Sequence, residues 1–457
     1  MGRAFSRLLR LLVVLCPLWH FILLYSVSRN SSIMATIVLG VQWGDEGKGK
    51  LCDILSSDVQ ICARATGGRN CGHTVVTAGV SYDFHMLPSG LLHPSTINII
   101  GPGVVLHVPT FFSELASIEA KGVANVQQRL KVSTRCALNL DLHAAVDRLR
   151  EEQLGKKNIG TTGKGIGPAY SSKAERSTVF LGDLLDDDEF GDRIRAMERD
   201  YKLRYGGNLN GYDVEAEIEE LKNFREKIRP FSIDDVEFLE EAQEKGQKIL
   251  VEGAQSALLD NTYGTWPYVT STATTFGGTM AGLNLNYRKV DSVIGVMKAY
   301  CTRVGSGPFP TEDFGDVSLK LQEIGREFGV TTGRRRRCGW LDLVSAKYSN
   351  SVNHYDFLNL TKLDVLDTFE EIQVAVAYKH PDTGALIKGF PASAKLLSRV
   401  EVVYKKMKGW NTKTTGTKKF EDLPKEARDY VTFIEDFLGV RIKWIGCGPG
   451  REDVLTR

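Results

Sequence analysis

Short apolar runs alternate with glycine-rich turns from Thr36 to about Val105. Ile37-Val38-Leu39-Gly40-Val41 opens the series, and Ile97-Asn98-Ile99-Ile100-Gly101 and Gly103-Val104-Val105-Leu106 close it. Runs this short, bounded by glycine, read as buried strands. Lys50-Leu51-Cys52-Asp53-Ile54-Leu55 differs, because Leu51, Ile54 and Leu55 share one face at helical spacing and mark a helix start. Between about 186 and 246 the pattern turns charged and helical, with Val214, Ile218, Leu221, Arg225 and Ile228 recurring at helical spacing. Ser232 followed by Asp235 resembles a helix-start capping signal. Lys248-Ile249-Leu250-Val251-Glu252-Gly253 returns to strand and loop, and Val293-Ile294-Gly295-Val296-Met297 and Phe357-Leu358-Asn359-Leu360-Thr361 are further buried strands. The pattern predicts an α/β protein around a mostly parallel sheet, with a helical insertion at about 186–246. Ligand loops then belong at the carboxyl ends of the strands.

Composition narrows the class. The 457 residues are 42% hydrophobic and 25% charged, enough for a large core in one big domain or two to three ordinary ones. A net charge of +2 supplies no global field that calls for nucleic acid or anionic lipid. The eight cysteines show neither zinc spacing nor a disulfide framework, which fits a reducing compartment. Residues 1–33 stand apart: Arg3, Arg7, Arg10 and Arg29 accompany two apolar blocks and no acid, as in a signal peptide or short anchor. The small-residue cleavage site is weak, and Met34 directly precedes the first strand. The leader is therefore read as spurious or dispensable, and the expected location is the cytoplasm, without membrane association.

Candidate chemistry begins with Gly44-Asp45-Glu46-Gly47-Lys48-Gly49-Lys50, directly after the first strand. Its spacing fits a phosphate loop, in which backbone N–H groups close around phosphate oxygens and a lysine supplies charge. Leu51 stands where that motif has a metal-binding hydroxyl, and Asp45 is the obvious replacement. Thr361-Lys362-Leu363-Asp364 ends a strand and resembles a guanine-recognition motif. A carboxylate accepts both N1–H and the exocyclic amine of guanine, whereas adenine presents an acceptor at the first position. A helix-start aspartate is the competing explanation of that tetrapeptide alone. Gly67-Gly68-Arg69-Asn70-Cys71-Gly72-His73-Thr74 places a histidine, poised near neutrality, in a glycine-rich loop, against the alternative of a turn histidine bonded to backbone. Gly160-Thr161-Thr162-Gly163-Lys164-Gly165-Ile166-Gly167-Pro168, with Lys173 and Arg176 beyond it, suits a second phosphate site or a plain surface loop. Val330-Thr331-Thr332-Gly333-Arg334-Arg335-Arg336-Arg337 reads as a site for a dicarboxylate or phosphate, because arginine forks bind such anions bidentately. Together these motifs require GTP plus another anionic substrate. A regulatory GTP-binding switch, the alternative, needs only the first set.

These motifs, with Glu252-Gly253-Ala254-Gln255, stand in the order found in the adenylosuccinate synthetase family, which the chain resembles from about Met34 to its end. The resemblance implies one catalytic domain, residues 34–457, with a large phosphate-loop NTPase-like sheet flanked by helices. It implies GTP-dependent ligation of IMP and L-aspartate to adenylosuccinate through a 6-phosphoryl-IMP intermediate, the first committed step from IMP to AMP. By position, Asp45 would be the base and His73 the acid. Asp45 and the Gly72 carbonyl would hold one Mg2+ per subunit. GTP would meet residues 44–50, Gly72, His73, Thr74, Arg336, Lys362, Leu363, Asp364 and Gly446-Cys447-Gly448. IMP would meet Asp45, Lys48, Asn70, Gly72, His73, Thr162, Gln255, Thr270 and Arg334. Arg176 matches the arginine that reaches IMP in the partner subunit, which implies a homodimer with a shared site. Aspartate would be held by Val330, Thr331, Thr332, Gly333, Arg334, Arg335 and Arg336. Two departures stand out. Cys71 replaces the family's usual alanine, and Gly446-Cys447-Gly448 differs from the hydroxyl-rich bacterial form.

Overall fold

The computed structural model describes residues 35–77, 79–155, 159–207, 209, 211–329, 333 and 335–457. The leader and four candidate aspartate-loop residues, Val330, Thr331, Thr332 and Arg334, lie outside the described residues. Ten strands form the main sheet among the described residues. In chain order they are β1 (Ala35–Gly40), β2 (Ile61–Arg64), β3 (Ile97–Ile100), β4 (Leu130–Ser133), β5 (Ser232–Ile233), β6 (Ile249–Glu252), β7 (Val290–Lys298), β8 (Phe357–Thr361), β9 (Arg441–Gly446) and β10 (Val454–Thr456). Across the sheet the order is β10-β9-β8-β7-β1-β6-β2-β3-β4-β5. Neighbouring strands are parallel except β9 and β10, which are antiparallel.

The apolar run of β1 follows from its place at the sheet's centre. Ile37, Leu39 and Val41 pack into one core with Leu343, Leu358 and Ile434. Val38 faces the other side, against Leu51 and Cys52 of helix α1 (Lys48–Ser56) and Trp444 of β9. A strand covered on both faces needs an unbroken apolar sequence, not alternation. A further core lies around Phe111, Phe190, Ile218, Leu221 and Ile228, and buries the apolar stripe of the charged helical region.

The connections fix where ligands can go. From β1 the chain crosses to β2, leaving a gap that β6 fills, and later adds β7, β8 and β9 on the other side of β1. Strand order therefore reverses at β1, and such a reversal opens a crevice beyond the carboxyl ends of the strands. Since these strands are parallel, the loops after β1, β2, β6, β7, β8 and β9 all emerge on that edge.

Three local expectations change. Gly103–Leu106 contributes only Val105–Leu106, paired with Ala137–Leu138 in a separate small sheet. The helical stretch is interrupted by β5, which pairs with β4. Ser232 lies in that strand, and Asp234 caps the following helix, its carboxylate accepting from the N–H groups of Val236 and Glu237. An aspartate immediately before the helix reaches those free N–H groups; a serine two residues further back cannot.

Candidate active site

The phosphate loop is built around the buried carboxylate of Glu46. Its Oε1 accepts from the N–H of Gln42 (3.1 Å), the N–H of Gly44 (2.9 Å) and the Ser256 hydroxyl. Its Oε2 pairs with Lys48 Nζ at 3.0 Å. Burial alone would raise this carboxyl's pKa, but the Lys48 charge and the Ser256 hydrogen bond hold it below the usual value. Thr361 Oγ1 donates to the Glu46 carbonyl at 2.7 Å, so the loop is tied to β8 and, through Ser256, to the segment after β6. Glu46 can thus offer a nucleotide only its backbone. Gly44 and Gly47 hold φ values of 96° and 87°, which a side chain would strain.

The two lysines of the motif divide. Lys48 stays within the loop beside Glu46, while Lys50 turns away from it. Lys50 Nζ donates to the carbonyls of Gly448 (2.7 Å) and Gly450 (3.1 Å), in the loop after β9. Lys50, which the phosphate-loop spacing offers as the phosphate lysine, has its ammonium fastening α1 to the candidate guanine loop. Arg451 adds a second fastening through Asp53 of α1, with Nε 2.7 Å from Oδ2.

His73 begins the hairpin His73–Thr77/Val80–Phe84 and lies against the phosphate loop. A Cβ on Gly49 would come within 2.3 Å of the His73 ring, so glycine there permits the contact. Asn70, Cys71 and Gly72, just before it, follow β2. Cys71 is buried between Asn70 and Gln255, and its Sγ lies 3.3 Å from Asn70 Oδ1 and 3.7 Å from Gln255 Nε2. Thr74 donates its hydroxyl across the hairpin to Asp83 at 2.6 Å. Behind His73, Glu252 Oε1 stands 3.2 Å from the ring Nε2 and accepts from Arg64 at 2.9 Å. Burial, only partly offset by Glu252, lowers the His73 pKa to about 4. The imidazole is then neutral near pH 7 and offers an N–H hydrogen bond, not a full charge.

At the β8 end, Leu363 is buried and Asp364 is partly buried. Asp364 Oδ1 is buried with no hydrogen-bond partner. Burial, with Asp367 nearby, raises this carboxyl's pKa despite Lys50 and Lys362. A buried acceptor left unpaired is destabilising by itself, so it marks a place where donors are to be received. Gly446, Cys447 and Gly448 lie alongside, with the Cys447 N–H bonded to the Asp453 carbonyl at 2.8 Å.

The arginine run splits three ways among its described members. Arg336 faces the site: its Nε lies 3.0 Å from Asp45 Oδ2, and its Nη1 donates to Glu327 at 2.7 Å. Arg335 points outward to Glu323 at 2.6 Å, and Arg337 pairs with Glu312 and with the carbonyls of Gly305 and Gly307. Arg335, Arg336 and Arg337 do not form one anion fork; adjacent residues of an extended segment alternate sides. Gly333 holds φ 62°.

The loop at 160–165 also differs from its expectation as a phosphate cradle. Glu151 already occupies the N–H groups of Ile159, Gly160 and Thr161. Lys173 donates to the Pro102 carbonyl at 3.1 Å. Lys164 Nζ donates to the Arg69 carbonyl at 2.9 Å, and Arg69 Nε donates to the Lys164 carbonyl at 3.2 Å, bracing this loop and its exposed Thr162 against the loop after β2. Arg176 ends the helix Ile166–Glu175, exposed, at φ 63°. Thr270 is half-buried in the long loop after β6, its N–H bonded to Leu259 at 2.9 Å.

Eight described non-glycine residues have positive φ, and Asp45, Arg176, Gln255 and Lys362 are four of them. Arg176 and Lys362 take that conformation as caps at helix ends, while Asp45 and Gln255 take it in loops. Ser256, Lys298 and Glu327 were missed by the sequence reading. Lys298, a charge closing a buried strand, was the one visible signal.

Comparison with known proteins agrees with this geometry. The sequence profile described as adenylosuccinate synthetase matches residues 37–455. An adenylosuccinate synthetase from Pyricularia oryzae is 57% identical over 424 residues, 93% of this chain and 100% of that protein. One from Sordaria macrospora is 56% identical, covering 93% of this chain and 98% of its own length. The structure of fully ligated adenylosuccinate synthetase from Plasmodium falciparum superposes with a TM-score of 0.88 at 40% identity, over 92% of this chain and 99% of that one. A cyanophage S-2L succinoaminodeoxyadenylate synthetase, at 19% identity and a TM-score of 0.58, shares the fold alone. These matches give no support to a regulatory GTP-binding switch. The chain belongs to the adenylosuccinate synthetase family of GTP-dependent ligases.

Proposed function

We propose that this chain joins IMP to L-aspartate, using GTP, by placing three anionic substrates along the carboxyl edge of the sheet. The observation that carries the reading is the 3.0 Å approach of Arg336 to Asp45. It joins the loop suited to a dicarboxylate to the acid of the phosphate loop, a link a GTP switch does not need.

Asp45 takes the N1 proton of IMP, and the O6 so activated attacks the γ-phosphorus of GTP, releasing GDP. The aspartate amine then displaces phosphate from C6 of 6-phosphoryl-IMP. His73, the residue the resemblance gives as the acid, donates an N–H hydrogen bond to the transferring phosphoryl group as charge grows there. Phosphoryl transfer mainly needs positioning and neutralisation of charge, which these loops supply. Lys362, Asp364 and the 446–448 loop receive guanine. Asn70, Thr162, Gln255, Thr270 and Arg334 receive IMP, and the 330–336 loop receives aspartate.

The donor set fits Mg2+. Among the described residues no three His, Cys, Asp or Glu side chains gather into a metal site. Mg2+ is commonly held by one or two protein oxygens together with substrate phosphates, and Asp45 and the Gly72 carbonyl would be those oxygens. When bound, it would neutralise charge on the phosphates.

Adenylosuccinate formation, followed with each substrate omitted in turn, tests the function. Product and phosphate release should both require IMP, aspartate and GTP; GTP hydrolysis that ignores IMP and aspartate would count against it. Arg176 is exposed, as a residue that reaches into a partner's IMP site must be, and the proposal includes a homodimer with shared sites. Mixing inactive Arg176→Leu subunits with inactive Asp45→Asn subunits should then restore some activity, and no restoration argues against sharing. No helix among the described residues is long and apolar enough to cross a membrane. The proposed location is the cytoplasm, as in the family; activity confined to an organelle or membrane fraction would sink that assignment.

A further inference from the structure

We propose that a cavity of about 660 Å³ behind the strand Arg337–Gly339 is a second binding site, and that it takes a small aromatic anion. Clefts of roughly 300–1,000 Å³ with apolar walls and a few polar groups are where proteins usually hold small molecules.

Three segments enclose it: the long loop after β6 with Tyr268, residues 307–314 after β7, and the short helix Ala394–Leu397. Phe309 forms part of the wall and is backed by Trp43, with ring centroids 5.3 Å apart. Phe314 also lines the cavity, yet it is 90% exposed. A phenyl ring left in water beside an open cleft gains from a flat apolar partner. None of the described residues assigned to GTP, IMP or aspartate lines the cavity. Arg336 reaches Asp45, whereas Arg337, the next residue, turns to Glu312 on the cavity wall.

Charge decides which flat ligand enters. Arg303 is fully buried beneath the cavity floor, where its Nη1 donates to the Pro308 carbonyl at 2.5 Å and its Nη2 to the Tyr268 carbonyl at 3.1 Å. A Cβ on Gly307 would stand 2.5 Å from that Nη2, so glycine lets the guanidinium come up under the floor. The Arg303 Nε is buried with no hydrogen-bond partner, and no carboxylate among the described residues lies within ion-pair distance of Arg303. Burial, and then the neighbouring Arg337 charge, lower its pKa to about 9. Arg337 is paired with Glu312. Lys395, on the short helix, is exposed and has no carboxylate partner among the described residues. Three cations thus stand around one carboxylate, and that excess in a partly enclosed cleft favours an anion. Aromatic walls and a free ammonium together suit a ring that carries a carboxylate, sulfonate or phosphate.

The test titrates the full chain with 1-anilinonaphthalene-8-sulfonate, a fluorescent aromatic anion, while saturating IMP, GDP and aspartate fill the active site without turnover. Binding should saturate at one probe per chain. Lys395→Glu and Phe314→Ala should each weaken it about tenfold, the first through charge and the second through lost apolar contact. In the unsubstituted chain the uncharged N-phenyl-1-naphthylamine should bind about tenfold more weakly than the sulfonate. Both substitutions lie on the surface outside the catalytic set, so kcat and the three KM values should stay within about twofold. The proposal is overturned if neither substitution changes the titration, if the uncharged probe binds as tightly, or if the three active-site ligands displace the sulfonate. It is also overturned if Phe314→Ala lowers the sedimentation coefficient to that of a smaller species, because a second copy of the chain then covers this face.

Discussion

Asp45→Asn should lower kcat at least ~1,000-fold while GTP affinity stays within a few-fold, since removing a positioned general base typically forfeits 10²–10⁴ in rate. The carboxamide has the shape of the carboxylate but cannot accept the N1 proton of IMP, and it is a poor partner for a divalent cation. The rest of the nucleotide site survives. Glu46 still organises the loop through Gln42, Gly44 and Ser256, and the unpaired Oδ1 of Asp364 is untouched. The left-handed backbone at Asp45 favours Asn as well as Asp, so the loop keeps its conformation. Single-turnover rates with IMP and aspartate, beside direct titration with GTP, separate chemistry from binding. Normal turnover would falsify the role of Asp45 as base. A collapse of GTP binding would show instead that the acid mainly builds the loop.

The second large effect is a change of base preference. Asp364→Asn should raise the GTP KM about 100-fold, because a site built around a hydrogen-bonded group discriminates strongly against a mismatched partner. In the proposed site Asp364 offers two acceptors to the N1–H and amine of guanine; asparagine would offer one acceptor and one donor. Xanthine, with a carbonyl in place of the amine, matches that pattern, so XTP should become the better substrate. A structural aspartate would behave differently. Oδ1 of Asp364 is buried without a partner, so losing its charge should leave melting temperature unchanged or higher. An unchanged preference for GTP, or a marked loss of stability, would remove Asp364 from base recognition.

Much of the site was legible because its signals are local. β8 was readable to the residue as Phe357–Thr361, β6 to within one residue and β1 to within two, since a strand covered on both faces must be apolar throughout. Phosphate-loop spacing and the Thr-Lys-Leu-Asp tetrapeptide each encode chemistry within a few positions. Their meeting on one edge followed once the strands were taken as parallel. Where the reading failed, the deciding partner was distant in sequence. Lys50 has the spacing of a phosphate ligand, yet its ammonium goes to carbonyls about four hundred residues away. Local geometry mattered too: Arg335, Arg336 and Arg337 look equivalent in a row, but neighbouring residues of an extended segment face opposite ways.

The sequence by itself determined which loops could meet phosphate, guanine and an acidic substrate, because backbone conformation and hydrogen-bonding type are properties of a few consecutive residues. It also determined the layered α/β architecture, through the unbroken apolar runs and the charged helical stretch between them. Only the tertiary structure decided how those groups are aimed and coupled. Glu46 became a structural bolt, Glu151 filled the N–H groups of a loop that looked like an anion cradle, and Glu327 drew together Lys298, Arg336 and Lys362. The reason is physical: a buried charge must find its partner wherever the fold brings one, and the sequence around it carries no record of which one that will be.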